Sequence, residues 1–361
     1  MKILKEREFW LLILVLLINL GWRVWKYKDG YLIKYNPEYW QQRYLQSQWV
    51  NPNSNNTIGD DGLYAYAGWE YLYGRDPTTL NAETPPLGKY LIGLTIKIFS
   101  NQAIFGLISG ICCLASFYFL NSYLFKDRFW ALLPIVFFSF EPLFWQQLRA
   151  PFLDLLYLSF LLLTFLFFLK EKWIVSGVFL GLMMATKSSL TSFFLVVLSL
   201  GMWLLIKKQL VKKISWLSIL PVSWIILMAV YFRHFLLGGN LISFLKVQKW
   251  IWNFYAEGAK AKVGSVWPMI FLGKWPVWWT KEFLKVGEWQ ITWPILTIFN
   301  FQFSIFSLLK RNFDGFFLLV VWGVIYLLFL SFIPVWPRYL LLLLPFMYNN
   351  AVWELKSIKK K

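Results

Sequence analysis

Residues Phe152 to Leu169 have the sequence FLDLLYLSFLLLTFLFFL, and this stretch decides the fold. Its only charged residue is Asp154, near its beginning. A helix of about 20 predominantly apolar residues is long enough to cross the hydrocarbon core of a bilayer. A surface helix of a soluble domain has a polar face instead, and no such face is present here. The stretch therefore predicts a transmembrane helix.

Similar apolar runs recur along the chain, as its composition requires. Of 361 residues, 58% are apolar and 15% are charged, whereas soluble domains average about 45 to 50% and about 25%. We predict an all-α integral membrane protein that forms a single domain over residues 1–361. The first apolar run, Phe9 to Leu20, is expected to remain in the protein as a transmembrane span and not to be removed as a signal peptide, because Asn19-Leu20-Gly21-Trp22 is not a signal-peptide cleavage site. About ten spans are expected: 9–22, 102–123, 129–145, 151–169, 173–186, 190–206, 214–232, 291–309, 316–333 and 339–353.

Lysine and arginine are distributed unequally between the two sets of short loops. The short outer loops hold only Arg149, Lys187 and Arg338. The tails and loops on the other side hold Lys2, Lys5, Arg7, Lys126, Arg128, Lys170, Lys172, Lys207, Lys208, Lys212, Lys213, Lys310, Arg311, Lys356, Lys359, Lys360 and Lys361. By the positive-inside rule both termini are cytoplasmic, and segments 23–101 and 233–290 face outward. The net charge of +18 then favours anionic membrane lipids as partners over nucleic acid, whose binding folds are soluble.

Both outer segments carry patterns that are typical of the membrane surface. Leu87, Leu91, Leu94 and Ile98 recur at helical spacing, with Lys89 and Lys97 off that stripe, which predicts a helix in the interface. Tryptophan is concentrated in the second segment, and tryptophan is enriched in membrane proteins at the depth of the lipid headgroups. These residues are Trp250, Trp252, Trp267, Trp275, Trp278, Trp279, Trp289 and Trp293. We expect both segments to lie against the membrane.

Two adjacent carboxylates, Asp60 and Asp61, stand between Gly59 and Gly62 ahead of an aromatic helical pattern. Either one could cap the helix that follows. Alternatively, the pair supplies a general base, since a hydroxyl that attacks a sugar must lose its proton. The two interpretations are compatible.

Arg149, Lys187 and Arg338 each stand at the end of a predicted span. Any one of them could be an interfacial anchor, but ionisable groups at this depth are costly and often functional. Asp154 should lie about one helical turn below Arg149 and could orient it. We expect no His/Cys metal site and no disulfide framework, because His234 is the only histidine and Cys112 and Cys113 are adjacent within an apolar run. His234 is expected to be a surface or packing residue.

Several motifs occur in a family-specific order, beginning with Asp60-Asp61, Gly74 and Pro85-Pro86-Leu87-Gly88-Lys89. Farther along are Arg149-Ala150-Pro151-Phe152-Leu153-Asp154, Gly181 to Lys187, Ser265-Val266-Trp267-Pro268, and Pro334 to Pro345 with Arg338-Tyr339-Leu340. In this order they resemble the protein O-mannosyltransferase-like branch of the GT-C glycosyltransferases. Two positions depart from the family pattern. Asp61 replaces a glutamate and keeps the carboxylate, whereas Thr84 replaces a histidine and loses its chemistry.

The resemblance implies an enzyme that moves a sugar, mannose in the family, from a polyprenyl-phosphate carrier to a hydroxyl acceptor on a protein, glycan or lipid. Asp60 would be the base, with Asp61 beside it and Glu83 and Lys89 in support. Arg149, Lys187 and Arg338 would converge on the carrier phosphate, and one displacement would invert the anomeric centre. No metal is required if these cations neutralise the phosphate, although Asp60, Asp61 and Glu83 could hold a divalent ion.

Two other functions compete with this interpretation. A transporter or flippase of a lipid-linked sugar would bind the same groups without reaction, but such proteins often contain paired repeats, and no repeat is visible in this sequence. A non-catalytic scaffold with the same fold is the other alternative, because a fold does not by itself imply a function.

Overall fold

The computed structural model describes residues 2–257, 263–277 and 282–358, and these form helices almost throughout, which confirms the predicted all-α architecture. Trp278, Trp279 and Lys359 to Lys361 of the sequence patterns above lie outside the described residues. The helices are α1 (Lys2–Lys26), α2 (Lys28–Leu32), α3 (Pro37–Leu45), α4 (Asp60–Leu72), α5 (Leu87–Phe99), α6 (Ile104–Phe125), α7 (Arg128–Ser139), α8 (Pro142–Leu148), α9 (Asp154–Leu169), α10 (Trp173–Thr186), α11 (Ser189–Ile206), α12 (Ile219–Val230), α13 (Phe232–Leu236), α14 (Leu241–Glu257), α15 (Val266–Leu272), α16 (Thr292–Leu309), α17 (Gly315–Leu330) and α18 (Leu344–Ile358).

Short elements complete the described chain. Ile214–Ser218 and Pro337–Leu342 are 3₁₀ helices. Strands β1 (Lys274–Pro276) and β2 (Phe283–Lys285) form an antiparallel pair in which Trp275 lies opposite Leu284.

Length and apolar composition identify four helices of the described chain that could each cross a membrane. They are Glu6–Lys26 within α1, and α6, α11 and α16. The bent pair α7 and α8 would make a fifth, and α9, α10, α17 and Ile214–Val230 are apolar but shorter. All of these helices coincide, within a few residues, with predicted spans.

The span predicted over 129–145 corresponds to two helices, α7 and α8, with a break between them. The chain bends by 74° between α7 and α8. Glu141 has extended backbone, with φ −63° and ψ 129°, and Pro142 begins α8. A proline disfavours the helical conformation in the residue before it, so the Glu141-Pro142 dipeptide ends one helix and starts the next.

Helix α9, the stretch quoted first, lies at the centre of the bundle and packs against α6 and α10. Helices that lie in lipid gain little from the hydrophobic effect when they associate, so they depend on close van der Waals packing. Small residues at the interface allow this close packing. Helix α10 uses Gly177 and Gly181 in this way against α12. A Cβ on Gly181 would lie 2.6 Å from the Cβ of Ile226, and one on Gly177 would lie 2.9 Å from the Cβ of Val222. Only glycine therefore permits this approach.

Within residues 23–101, α4 and α5 form a hairpin and meet at Gly68 and Gly93. A Cβ on Gly93 would lie 2.2 Å from the carbonyl oxygen of Gly68. The side of α5 that faces α4 includes Lys89 and Ile92, both fully buried, whereas Leu94 and Ile98 are exposed. A helix is present where one was predicted. Leu94 and Ile98 of its apolar stripe are exposed and Leu87 and Leu91 are partly buried, whereas Lys89 points into the protein.

His234, expected to be a surface or packing residue, is buried and connects α13 to the loop after α4. Its Nδ1 lies 2.9 Å from Oδ2 of Asp76, and its Nε2 lies 2.8 Å from Oγ of Ser243. Next to it, Nε of Arg233 donates to the carbonyl oxygen of Gly74 at 2.9 Å. These bonds join the loop after α4 to α13 and α14.

The pKa of Asp76 reflects this connection. Burial would raise the pKa, but hydrogen bonds from the Thr78 backbone and from His234 outweigh it and lower the pKa below its usual value. A carboxyl whose pKa is depressed by folding stabilises the protein above its unfolded pKa of about 3.9. That stabilisation is lost as the pH falls through the lower, folded value.

We predict that His234 and Asp76 are energetically coupled. His234→Ala and Asp76→Ala should each lower the melting temperature of detergent-purified protein at neutral pH, and the double variant should lower it by less than the sum. Contacting residues usually show coupling of about 0.5 to 3 kcal/mol. A distant pair, His234→Ala with Lys126→Ala, serves as the additive control. Strict additivity for His234 and Asp76 would contradict the proposed link.

Candidate active site

Four charged side chains from four separate elements form two ion pairs at one end of the bundle. Arg338 donates through Nη2 to Oδ2 of Asp60, and Nζ of Lys187 donates to Oδ1 of Asp154. Asp60 begins α4, Asp154 begins α9, Lys187 follows the last residue of α10, and Arg338 lies in the 3₁₀ helix at 337–342. We call these four residues the charge cluster. It contains two acids and two bases and is electrically balanced.

The two ion pairs differ in their access to solvent. The side chain of Asp154 is 4% exposed and that of Lys187 is 16% exposed. In the other pair, Asp60 is 37% exposed and Arg338 is 16% exposed. The Asp154–Lys187 pair is therefore the inner one, and the Asp60 carboxylate is the most open member of the cluster.

Aromatic rings hold both cations. The Lys187 ammonium lies 5.1 Å from the centre of the Tyr339 ring. The Arg338 guanidinium lies 5.5 Å from the Phe152 ring and 5.7 Å from the Trp336 ring. Cation–π attraction strengthens when the cation is desolvated. Nε of Arg338 is buried without a hydrogen-bond partner among the described residues, so one edge of the guanidinium has an unused donor.

The helix cap differs from the sequence expectation. Gly59, in extended conformation, caps α4, and neither Asp60 nor Asp61 makes a side-chain cap bond. Both carboxylates occupy the first turn, where the helix dipole favours negative charge. Asp61 is partly buried and forms no ion pair with a described residue. The structure therefore separates the two neighbours: Asp60 belongs to the charge cluster, and Asp61 stands beside it.

Arg149 is placed apart from the other two cations. It is exposed, and its guanidinium lies 4.2 Å from the centre of the Tyr27 ring, near the end of α1. None of the described contacts joins it to the charge cluster. The expectation that Asp154 orients Arg149 is wrong, because Asp154 pairs with Lys187. The turn at Ala150 to Leu153 separates α8 from α9, so the two residues do not share one helix face.

Glu83 and Lys89 support the loop that precedes α5. Nζ of Lys89 donates to the carbonyl oxygens of Asn81 and Thr84 at 2.5 and 2.6 Å and to Oδ1 of Asn81 at 3.1 Å. The Asn81 amide in turn donates to Glu83. Burial lowers the pKa of Lys89 and raises that of Glu83, and the attraction between the two opposes both shifts. Lys89 has all three of its donors occupied, so its role here is structural.

Sequence reasoning missed Glu141, at the bend between α7 and α8. Its carboxylate is buried and accepts hydrogen bonds from Nε1 of Trp293, at 3.1 Å, and from the hydroxyl of Tyr348. These bonds tie the bend to α16 and α18. The signal was an acid followed by a proline inside an apolar run, Phe140-Glu141-Pro142.

The described residues contain no group of three His, Cys, Asp or Glu side chains that could hold a metal ion. Asp60, Asp61 and Glu83, considered above as ligands for a divalent ion, are thus not gathered into such a group.

Comparison with known proteins identifies structural neighbours. No protein-family model matches the sequence, and no curated protein matches it. The fold is similar to the crystal structure of ArnT from Cupriavidus metallidurans bound to undecaprenyl phosphate, with a TM-score of 0.58, 16% identity, and coverage of 83% of this chain and 56% of that chain. For the apo state of ArnT the TM-score is 0.58 and the identity 14%, with 84% and 57% of the two chains covered. This chain spans a little over half the length of ArnT and shares its membrane fold over that part.

Proposed function

We propose that the chain is a GT-C-type glycosyltransferase that takes a sugar from a polyprenyl-phosphate carrier at the outer membrane face and gives it to a hydroxyl acceptor. The observation that carries the proposal is the charge cluster, in which the solvent-accessible Asp60 carboxylate pairs with Arg338 beside the Asp154–Lys187 pair. The fold shared with ArnT, whose structure holds undecaprenyl phosphate, supports this choice of carrier. Mannose is the sugar suggested by the motif resemblance.

In the proposed reaction the acceptor oxygen forms a bond to the anomeric carbon while the bond from that carbon to the phosphate oxygen breaks. Asp60 takes the acceptor's proton, and the carrier phosphate leaves with the bonding electron pair. A single displacement inverts the anomeric centre. Arg338 and Lys187 would stabilise the negative charge that develops on the phosphate, as preorganised cations do in a water-poor site.

The structure changes the emphasis among the three cations. Arg338 and Lys187 lie together beside Asp60, and Arg338 has an unused Nε donor. Guanidinium binds phosphate through two parallel hydrogen bonds, which an ammonium cannot do. We therefore assign the principal phosphate contact to Arg338 together with Lys187. Arg149 would contact the carrier at a greater distance from the cluster.

A transporter or flippase would bind the carrier through the same cations but would not require Asp60 to accept a proton. A scaffold would require neither. Asp60 therefore distinguishes the enzyme from both alternatives.

We predict that Asp60→Asn lowers turnover by about 10²- to 10⁴-fold, the usual contribution of a general base. The amide cannot take a proton, but its oxygen can still accept a hydrogen bond from Arg338, so carrier binding and melting temperature should be retained. Turnover would be measured with purified protein, a panel of polyprenyl-phosphate sugars and membrane extract. Asp61→Asn is the matched control and should lose less. Full turnover in Asp60→Asn with a loss in Asp61→Asn would reassign the base, and full turnover in both would exclude the pair.

A second prediction concerns the carrier phosphate. Arg338→Gln should weaken binding of undecaprenyl phosphate by roughly 1.5 to 3 kcal/mol, the range for a hydrogen bond to a charged group. Arg338→Lys should lose less, because it keeps the charge without the fork. Arg149→Ala is the comparison variant and should have a smaller effect than Arg338→Gln. If Arg149→Ala weakened binding of undecaprenyl phosphate more than Arg338→Gln did, the phosphate contact would be reassigned to Arg149.

A third prediction tests the orientation that the reaction requires. In a background with Cys112 and Cys113 replaced by alanine, single cysteines at Asn55 and Lys249 should react with an impermeant thiol reagent on intact cells. A cysteine at Lys208 should react only after permeabilisation. All three positions are exposed in the structure. Protection of the first two in intact cells, with labelling after permeabilisation, would place the charge cluster on the cytoplasmic side and remove the proposed function.

A further inference from the structure

We propose that Arg338 is a latch on Asp60 that the donor phosphate opens. In the protein without donor, Arg338 occupies the Asp60 carboxylate. When the donor binds, the guanidinium transfers to its phosphate and frees Asp60 for the acceptor's proton. This inference rests on the proposed function and adds an order to it, because both carboxylate oxygens of the base become available only after the donor is in place.

The first argument is the state of Asp60. Its Oδ2 accepts a hydrogen bond from Nη2 of Arg338, so the proposed base is ion-paired in the structure. The guanidinium occupies one of the two carboxylate oxygens, and Oδ1 accepts no hydrogen bond from a described residue. Opening the ion pair would make the second oxygen available to an acceptor hydroxyl as well.

The second argument is the geometry of Arg338. Its Nη2 is bound to Asp60, while its buried Nε has no partner among the described residues. The rings of Phe152 and Trp336 restrict the guanidinium plane. A phosphate bound bidentately at the edge formed by Nε and Nη2 would gain the unused donor and would compete with Asp60 for Nη2.

The third argument is the difference between the two ion pairs. Asp154 is almost completely buried, so removing Lys187 from it would leave a buried charge without a partner, which is strongly unfavourable. Asp60 is more than a third exposed and can be hydrated when Arg338 leaves. The inner pair therefore stays closed, and the outer pair is the one that a phosphate can open.

Charge balance gives the release a chemical consequence. The charge cluster has no net charge until the donor adds the negative charge of its phosphodiester. Once Arg338 has moved to the phosphate, the Asp60 carboxylate has lost its cation and lies beside a second anion, the donor phosphate. Taking the acceptor's proton removes one of these negative charges just as the leaving phosphate acquires another.

The latch can be tested by chemical labelling of carboxyl groups. Purified protein in lipid nanodiscs would be treated with a water-soluble carbodiimide and glycine ethyl ester, with and without saturating undecaprenyl phosphate. Modification of Asp60 and Asp61 would be quantified by peptide mass spectrometry. The carrier without sugar is the suitable probe, because it supplies the phosphate and leaves the space around Asp60 open.

We expect modification of Asp60 to rise several-fold when the carrier binds, while Asp61, which has no ion pair with a described residue, stays constant as the internal reference. Arg338→Gln should show high modification of Asp60 without carrier and no further rise. Arg338→Lys keeps the cation and provides a second variant if the glutamine variant does not fold.

Carrier binding would be measured in the same nanodiscs by native mass spectrometry, so that two failures can be told apart. If the carrier binds and modification of Asp60 does not rise, the latch is overturned and the proposed function stands. If the carrier does not bind at any concentration, the proposed function fails and the latch fails with it.

Discussion

The ion pair between Asp154 and Lys187 is the constraint on which the arrangement of the site depends. Each residue stands at the end of an apolar helix, and neither charge could remain buried without the other. The pair therefore holds the beginning of α9 against the end of α10. Arg338 and Asp60 assemble next to this fixed point, so a balanced cluster forms where isolated charges would be unstable.

Glycine contacts and polar clamps hold the rest of the structure around this point. Helices α10 and α12 approach closely at Gly177 and Gly181, and α4 and α5 meet at Gly68 and Gly93. His234 joins the loop after α4 to α13 and α14 through Asp76 and Ser243. Because α4 carries Asp60 at its first residue, the packing of the α4–α5 hairpin also determines where the carboxylate lies.

The structure also divides the charged residues by role. Lys89 donates its hydrogen bonds to oxygens of its own loop, and Lys187 is held in position by a buried carboxylate. Arg338 keeps an unused donor and has a partner that can be hydrated. In the proposed reaction this difference separates residues that stabilise the site from the one that responds to the donor.

Local composition was sufficient for the membrane class and for most helix positions, because the length of an apolar run and the solvent around it are local properties. The choice of Asp60 as the candidate base came from the motif resemblance. Only the tertiary structure decided the partners. Asp60 and Arg338 are 278 residues apart, and no periodicity relates them. Only the tertiary structure decided which face of α5 is buried. It also decided that Asp154 pairs with Lys187 and not with Arg149. The bend at Glu141-Pro142 had a local signal, but the carboxylate is stabilised there by Trp293 and Tyr348, which only packing of distant helices could bring to it.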